Sequence, residues 1–286
     1  MGILNVTPDS FSDGGRYATT GEAVDHGVRL LDEGADILDI GGESTRPPGK
    51  TYGTGAAAVD AAEELSRVVP VIERIVALRP SAIVSIDTTK RGVAAAALAA
   101  GARIVNDVGG GEHDPAIIDV AARHDAPLIV MHGHPPGERR PIDAIVYDDV
   151  VGTVRSYLAG RIEAARASGV RTIIIDPGIG FGKRPEDSER LIRELSALRG
   201  IGAPILVGAS RKAFIGRRLN GAGASERLFG SIAAAAAASL NGASIVRVHD
   251  VRPTVEFFML FSPLIPHTET GITEDFGEDS STGLSS

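Results

Sequence analysis

Eight times along this chain a short apolar run is followed by a longer stretch with helical spacing. Strands are predicted over residues 3–6, 37–40, 82–86, 103–105, 127–131, 171–175, 204–207 and 244–248. Helices are expected over residues 20–33, 57–77, 115–123, 148–168 and 185–198, from the third strand through residue 100, across much of 211–241, and from 253. Strands without polar alternation, each followed by a helix, imply a parallel sheet covered on both faces. Eight such units close a barrel, whose usual length is about 250 residues. The expected fold class is therefore α/β, a single-domain (β/α)8 TIM barrel over residues 1–267. A doubly wound open sheet is the runner-up, but it normally carries a Gly-rich phosphate turn after its first strand. Asn5-Val6-Thr7-Pro8-Asp9 is not such a turn. Gly-Ala recurs just before strands, at Gly34, Gly101 and Gly242. Glycine suits a helix end that turns straight into a strand. The Ser-rich stretch with Asp and Glu over residues 268–286 is expected to be disordered.

Composition narrows the partners. Aromatic residues make up 4% of the chain and Trp is absent, so the core must be built from Ala, Val, Ile and Leu. The net charge is −8 with no basic run, which argues against nucleic acid and anionic membrane. There is no Cys, so disulfides and thiolate metal sites are excluded. No apolar run reaches the roughly 18 residues of a membrane span, and the default location is the cytoplasm. The Ala-rich stretch over residues 233–238 suggests close packing against the barrel or a second subunit, and a homodimer is expected.

Polar residues gather where the apolar runs end. Asn5 and Asp9 follow the first strand, and Glu43-Ser44-Thr45-Arg46 the second. Asp87, Asn106-Asp107, Met131-His132 and Asp176 stand at the ends of the third to sixth. Ser210-Arg211-Lys212 follow the seventh, and Arg247, His249 and Asp250 end the eighth. Any one of these reads as a cap or a turn residue. Their recurrence at every strand end is different, because a barrel brings those ends to one mouth, where active sites lie. Asp87, Asn106 and Asp176 can pair with a flat heterocycle rich in N–H and C=O groups. Arg46, Lys212, Arg247 and His249, with the Thr45 hydroxyl, suit an anion such as pyrophosphate. The Gly-containing stretches 7–17 and 47–58 read as lids or as plain surface loops. His132-Gly133-His134 has no third ligand at zinc spacing and reads as a loop.

The motifs carrying these residues resemble those of dihydropteroate synthases. Gly2-Ile3-Leu4-Asn5-Val6-Thr7-Pro8-Asp9-Ser10-Phe11-Ser12-Asp13-Gly14-Gly15 is similar to the family's opening signature, and Gly41-Gly42-Glu43-Ser44-Thr45-Arg46-Pro47 to its second. Ser85-Ile86-Asp87-Thr88, Asn106-Asp107, Asp176-Pro177-Gly178-Ile179-Gly180-Phe181-Gly182-Lys183, Ser210-Arg211-Lys212 and Arg247-Val248-His249-Asp250 match in order. The resemblance implies condensation of 6-hydroxymethyl-7,8-dihydropterin pyrophosphate with p-aminobenzoate. It implies that Asp87, Asn106, Asp176 and Lys212 hold the pterin, that Met131 and Phe181 line its pocket, and that Arg247 stacks on it. Thr45, Arg247 and His249 would receive the pyrophosphate, and Asn5 would help bind Mg²⁺. Arg46, Phe181, Lys212 and Ala213 would frame the p-aminobenzoate site. Asp9, Phe11 and Asp13 would form the first loop, with Asp13 facing a transient cation. Among these, Asp13, Lys212, Arg247 and His249 are the expected catalytic residues.

The second loop, with Lys50 and Tyr52, is longer than the family's usual form, and Ala213 stands where many members have Ser. A sulfonamide-tolerant, antibiotic-resistance-type member and an ordinary synthase both accommodate these departures. Two rival readings share part of the residue set. One is a pterin-binding barrel of the methyltetrahydrofolate methyltransferase type. The other is a Schiff-base aldolase using Lys212, with Arg211 depressing its pKa.

Overall fold

Parallel strands need a crossover between neighbours, and the helical stretches between the apolar runs supply it. A computed structural model describes residues 1–6, 20–43, 59–133 and 145–265. Among them lie β1 (Gly2–Asn5), α1 (Thr20–Asp32), β2 (Ile37–Gly41), α2 (Ala61–Leu78), β3 (Ile83–Asp87) and α3 (Arg91–Ala99). Then come β4 (Ile104–Asp107), α4 (Ala116–Arg123), β5 (Leu128–Met131), α5 (Val150–Ala167), β6 (Ile173–Asp176) and α6 (Pro185–Arg193). The chain continues through β7 (Ile205–Val207), α7 (Ala213–Arg218), α8 (Leu228–Leu240), β8 (Ala243–Val246) and α9 (Val251–Leu264). The strands pair in sequence order, β1 to β8, all parallel. Closure comes from β1 against the residue just past β8. Ile3 N–H donates to the Val248 carbonyl at 2.9 Å, and Val248 N–H donates to that of Met1 at 3.0 Å.

The period of two along each strand sorts side chains between two apolar clusters. Leu4, Leu38, Ile40, Val84, Ile86, Leu128, Val130, Ile175 and Val207 face outward and pack under the helices with Val68, Ile72, Ile75 and Leu158. Each such buried aliphatic contributes about 1.5–3 kcal/mol. Residues of the opposite parity, Met1, Ile104, Ile129, Ile174 and Leu206, form a separate cluster with Ile37 and Ile245 inside the barrel. One inward step nearer the C-terminal end come Asp39 and Ser85, both wholly buried. The next step is the mouth.

Local signals explain several boundaries. Asp60 caps α2, accepting a hydrogen bond from Glu63 N–H at 2.8 Å. Gly34, Gly101 and Gly242 have φ of 101°, 110° and 110°, the left-handed turn expected before β2, β4 and β8. The strand ends differ from the expectation. Asn106 and Asp107 close β4 and Asp176 closes β6, just past the predicted strand bounds, because strand pairing is a backbone matter that a polar side chain does not stop. The helical stretch predicted over 211–241 is broken into α7, a 3-10 turn (Ala224–Glu226) and α8. Asn220 and Gly221, with φ of 54° and 90°, end α7. The expected tail, residues 268–286, lies outside the described residues.

Candidate active site

Strand register builds the mouth. Gly41 pairs with Asp87 and Asp87 with Asn106, while Met131 pairs with Asp176. All four side chains of this layer, Asp87, Asn106, Met131 and Asp176, are buried and point inward. Arg247 reaches in from beyond β8. Its Nη2 donates to Asp87 Oδ2 at 2.7 Å and its Nε to Asp39 Oδ2 at 2.6 Å. The same Asp39 oxygen accepts from Asn106 Nδ2 at 3.0 Å. Burial pushes the Asp87 carboxyl up to about 7, against the pull of Arg247 and with a further push from Asp39. Asp176 is also raised by burial, opposed by the Gly178 N–H, Lys212 and Arg247. Burial works against the charge of Arg247, but Asp39 and Asp87 outweigh it and raise its pKa.

The turn after β6 supplies the second wall. Asp176 Oδ1 accepts from Gly178 N–H at 2.7 Å, so this aspartate both turns the chain and faces the mouth. Gly178 has φ of 67°, and a β-carbon there would lie 1.9 Å from the His132 carbonyl oxygen. The turn is clamped by Lys183, which is 1% exposed and is among the largest wholly buried side chains. Its Nζ donates to the carbonyls of His132 and Gly178, each at 2.9 Å, and of Phe181 at 3.1 Å. Burial lowers its pKa to about 7, with Asp176 opposing. Phe181 is thereby held where the Lys212 ammonium lies 3.9 Å from its ring centroid, a cation–π contact. Burial brings Lys212 down to about 8, helped by Arg247 and opposed by Asp176 and Asp87. Ala213 follows as the first residue of α7.

The chain that carries this layer and its lysine–phenylalanine wall is similar to known proteins over most of its length. A family model described as pterin binding enzyme matches residues 1–249. The dihydropteroate synthase of Mycobacterium leprae is 46% identical over 263 residues, covering 90% of this chain and 89% of its own. The chain belongs to the dihydropteroate synthase family. Its members are transferases, and the Escherichia coli one is 43% identical over 90% of this chain and 88% of its own. The structure of Xanthomonas albilineans dihydropteroate synthase with 4-aminobenzoic acid has a TM-score of 0.83 at 46% identity, covering 93% of both chains. That of Yersinia pestis dihydropteroate synthase with a sulfonamide drug complex has a TM-score of 0.84 at 40% identity, covering 92% of both. These relatives favour a synthase over the methyltransferase-type barrel.

The residues expected of a dihydropteroate synthase fall into three groups. Asp87, Asn106, Met131, Asp176, Phe181, Lys212 and Arg247 surround one mouth. His249 lies beside it, with its backbone N–H on Ser210 Oγ at 3.2 Å and its Nδ1 at 3.1 Å from the same oxygen. Asp9, Phe11, Asp13, Thr45, Arg46, Lys50, Tyr52 and His134 lie outside the described residues. Arg211, the neighbour invoked in the aldolase reading, is paired with Asp250. It adopts φ of 58° and its guanidinium is forked onto Asp250, at 3.0 and 2.7 Å. His132 packs edge-on against Tyr157 at 4.9 Å between centroids, and no group of three His, Asp or Glu among the described residues could hold a metal ion. Asn5, at the mouth end of β1, offers one neutral amide oxygen. That donor set fits Mg²⁺, which is commonly held by few protein ligands plus substrate phosphates and water.

Two residues escaped the sequence reading. Asp39 is a charge inside an apolar strand, and its parity with Gly41 was the available signal. Lys183 stood in a quoted motif without a role, and nothing in the sequence marks a lysine as buried. A third feature sits behind the mouth. Lys90 Nζ bridges Glu43, at the end of β2, and the wholly buried Glu64, at 2.6 Å from the latter.

Proposed function

We propose that this chain joins 6-hydroxymethyl-7,8-dihydropterin pyrophosphate to p-aminobenzoate, giving 7,8-dihydropteroate and pyrophosphate in folate biosynthesis. The observation that carries the reading is the inward layer of Asp87, Asn106 and Asp176, which offers hydrogen-bond acceptors to one edge of a flat heterocycle. The Xanthomonas albilineans relative, whose structures include one with 4-aminobenzoic acid and one with 7,8-dihydropteroate, supports the substrate pair.

In this reading the pterin ring lies against Asp87, Asn106, Asp176 and Met131, with Arg247 beside its face. The bond between the pterin methylene carbon and the pyrophosphate oxygen breaks, and its electron pair leaves on that oxygen. The arylamine lone pair forms the new C–N bond, and the surplus amine proton passes to solvent. A neutral arylamine is nucleophilic near pH 7, so no general base is needed. Arg247 and His249, with Thr45, hold the departing anion. Lys212, Phe181, Ala213 and Arg46 frame the aminobenzoate. Asp13, in the first loop with Asp9 and Phe11, opposes the positive charge that develops on the methylene. When bound, Mg²⁺ supplies charge neutralisation for pyrophosphate, and Asn5 would hold it.

The deciding assay mixes the two substrates with the protein, with and without Mg²⁺, and measures 7,8-dihydropteroate chromatographically. Product is expected only with both substrates and Mg²⁺ present. No product under any condition sinks the reading.

A homodimer belongs to the same proposal. The helices α8 and α9 present Phe229, Met259, Leu260 and Leu264 at 83%, 70%, 73% and 81% exposure, a face that a second copy would cover. The sulfonamide-tolerant reading has little to stand on. Of its features only Ala213 is among the described residues, and no comparison supports it. An ordinary ratio of sulfamethoxazole inhibition constant to p-aminobenzoate KM is expected, matching a sensitive synthase assayed alongside. A ratio well above it would restore the tolerant reading.

A further inference from the structure

We infer that Asp39 is a positioning residue that sets the hydrogen-bond polarity of the pterin site. The inference rests on the proposed pterin reading and adds a residue that reading does not use.

Asp39 is wholly buried at the centre of β2, one inward step deeper than the Asp87–Asn106 layer. Its neighbours Leu38 and Ile40 belong to the outer cluster, so its side chain has no choice but the barrel interior. A carboxylate is an acceptor and nothing else. Asn106 has both a donor and an acceptor at the end of its amide, and it can present either to the mouth. With Asp39 below it, one of the two N–H groups of the amide is taken: Asn106 Nδ2 is directed down to Asp39 Oδ2 at 3.0 Å. The amide can then no longer turn round, and it offers the mouth its carbonyl oxygen and its second N–H in one fixed order, beside the carboxylates of Asp87 and Asp176. The ligand must therefore present a donor and an acceptor to Asn106 in the matching order, and donors to the carboxylates. That selects a bicycle with an exocyclic amino group next to a bare ring nitrogen over one with a carbonyl next to a ring N–H.

The same Oδ2 accepts from Arg247 Nε at 2.6 Å. Arg247 is therefore forked between the deeper layer and Asp87, which aims its guanidinium across the mouth. No contact between Asp39 and ligand is implied. It acts through Asn106 and Arg247.

Asp39→Asn keeps the volume and removes the fixed polarity, since an amide accepts or donates and lets Asn106 turn round. Wild type and Asp39→Asn are titrated calorimetrically with pterin and with lumazine, the same bicycle with a carbonyl in place of the amino group. Wild type is expected to prefer pterin, and Asp39→Asn to lose at least about tenfold of that preference, the loss of roughly one hydrogen bond to a charged group. A variant that keeps the wild-type preference overturns this inference alone, even if both affinities fall. A wild type that binds neither ligand, or prefers lumazine, overturns the pterin reading and this inference with it. Should the variant not fold, the side-chain amide protons of Asn106 in wild type decide by NMR. One proton that stays protected from solvent exchange and unshifted when pterin saturates the site, while the other shifts, supports an amide held by Asp39. Two protons that both shift strongly on pterin binding show an amide that Asp39 does not hold and overturn the inference.

Discussion

At the scale of single residues, the mouth is a problem of stacked like charges. Asp39, Asp87 and Asp176 share one small volume with Arg247 and Lys212, and burial raises both Asp87 and Asp176. A pterin edge offers N–H donors, which favour a carboxylate over a carboxylic acid. Asp87 titrates near 7, so it carries a proton below that pH and loses it above. Pterin affinity is therefore expected to rise with pH up to about 7 and then level, with a slope approaching tenfold per pH unit on the acid side. Calorimetry across pH 5.5–8.5 in two buffers of different ionisation heat checks both the slope and the accompanying proton release. A flat profile would assign the contact to another group. Asp87, Asn106 and Asp176 were legible as single letters because each stands at the end of an apolar run. Asp39 was not singled out, since its meaning depends on the residues above it.

At the scale of elements, the turn after β6 is the most heavily determined piece of the site. One carboxylate, Asp176, closes it, one ammonium, Lys183, draws three carbonyls together, and one glycine permits the approach. Gly178→Ala puts a methyl group against the His132 carbonyl at a positive φ. The expected cost is roughly 1–3 kcal/mol of stability, read as a lower denaturation midpoint. Because Phe181 and its lysine contact ride on the same turn, the KM for p-aminobenzoate should rise as well. Unchanged stability would mean that the β5 end moves to make room. The motif Asp176 to Lys183 announced a turn. That it is a clamp followed only from where the β5 carbonyl lies.

At the scale of the whole molecule, the described residues leave a set of large apolar side chains exposed. Helices α8 and α9 are the last two among the described residues, and their outward residues include Phe229, Met259, Leu260 and Leu264. Sedimentation is expected to give twice the chain mass of 29.6 kDa, and a Phe229→Glu, Met259→Glu double variant is expected to give the single mass. A monomeric wild type would remove the dimer from the proposal. Among the described residues no helix is long and apolar enough to cross a membrane, in line with the short apolar runs of the sequence.

Period and count were enough to reach eight parallel strands, a barrel and a polar mouth. Strand parity and apolar spacing are local properties written in adjacent residues, and the turn glycines before β2, β4 and β8 punctuate them. The strand-end motifs were likewise local, which is why the family resemblance could be read residue by residue. Tertiary structure alone decided which charges meet. Asp39 and Arg247 are 208 positions apart yet share a hydrogen bond, and Lys183 reaches 51 positions back to the His132 carbonyl. Arg211 and Lys212 are adjacent, yet the first pairs with Asp250 and the second stands over Phe181. Electrostatic partnership depends on separation in space and on burial, and in a closed barrel both are set by register and closure rather than by position along the chain.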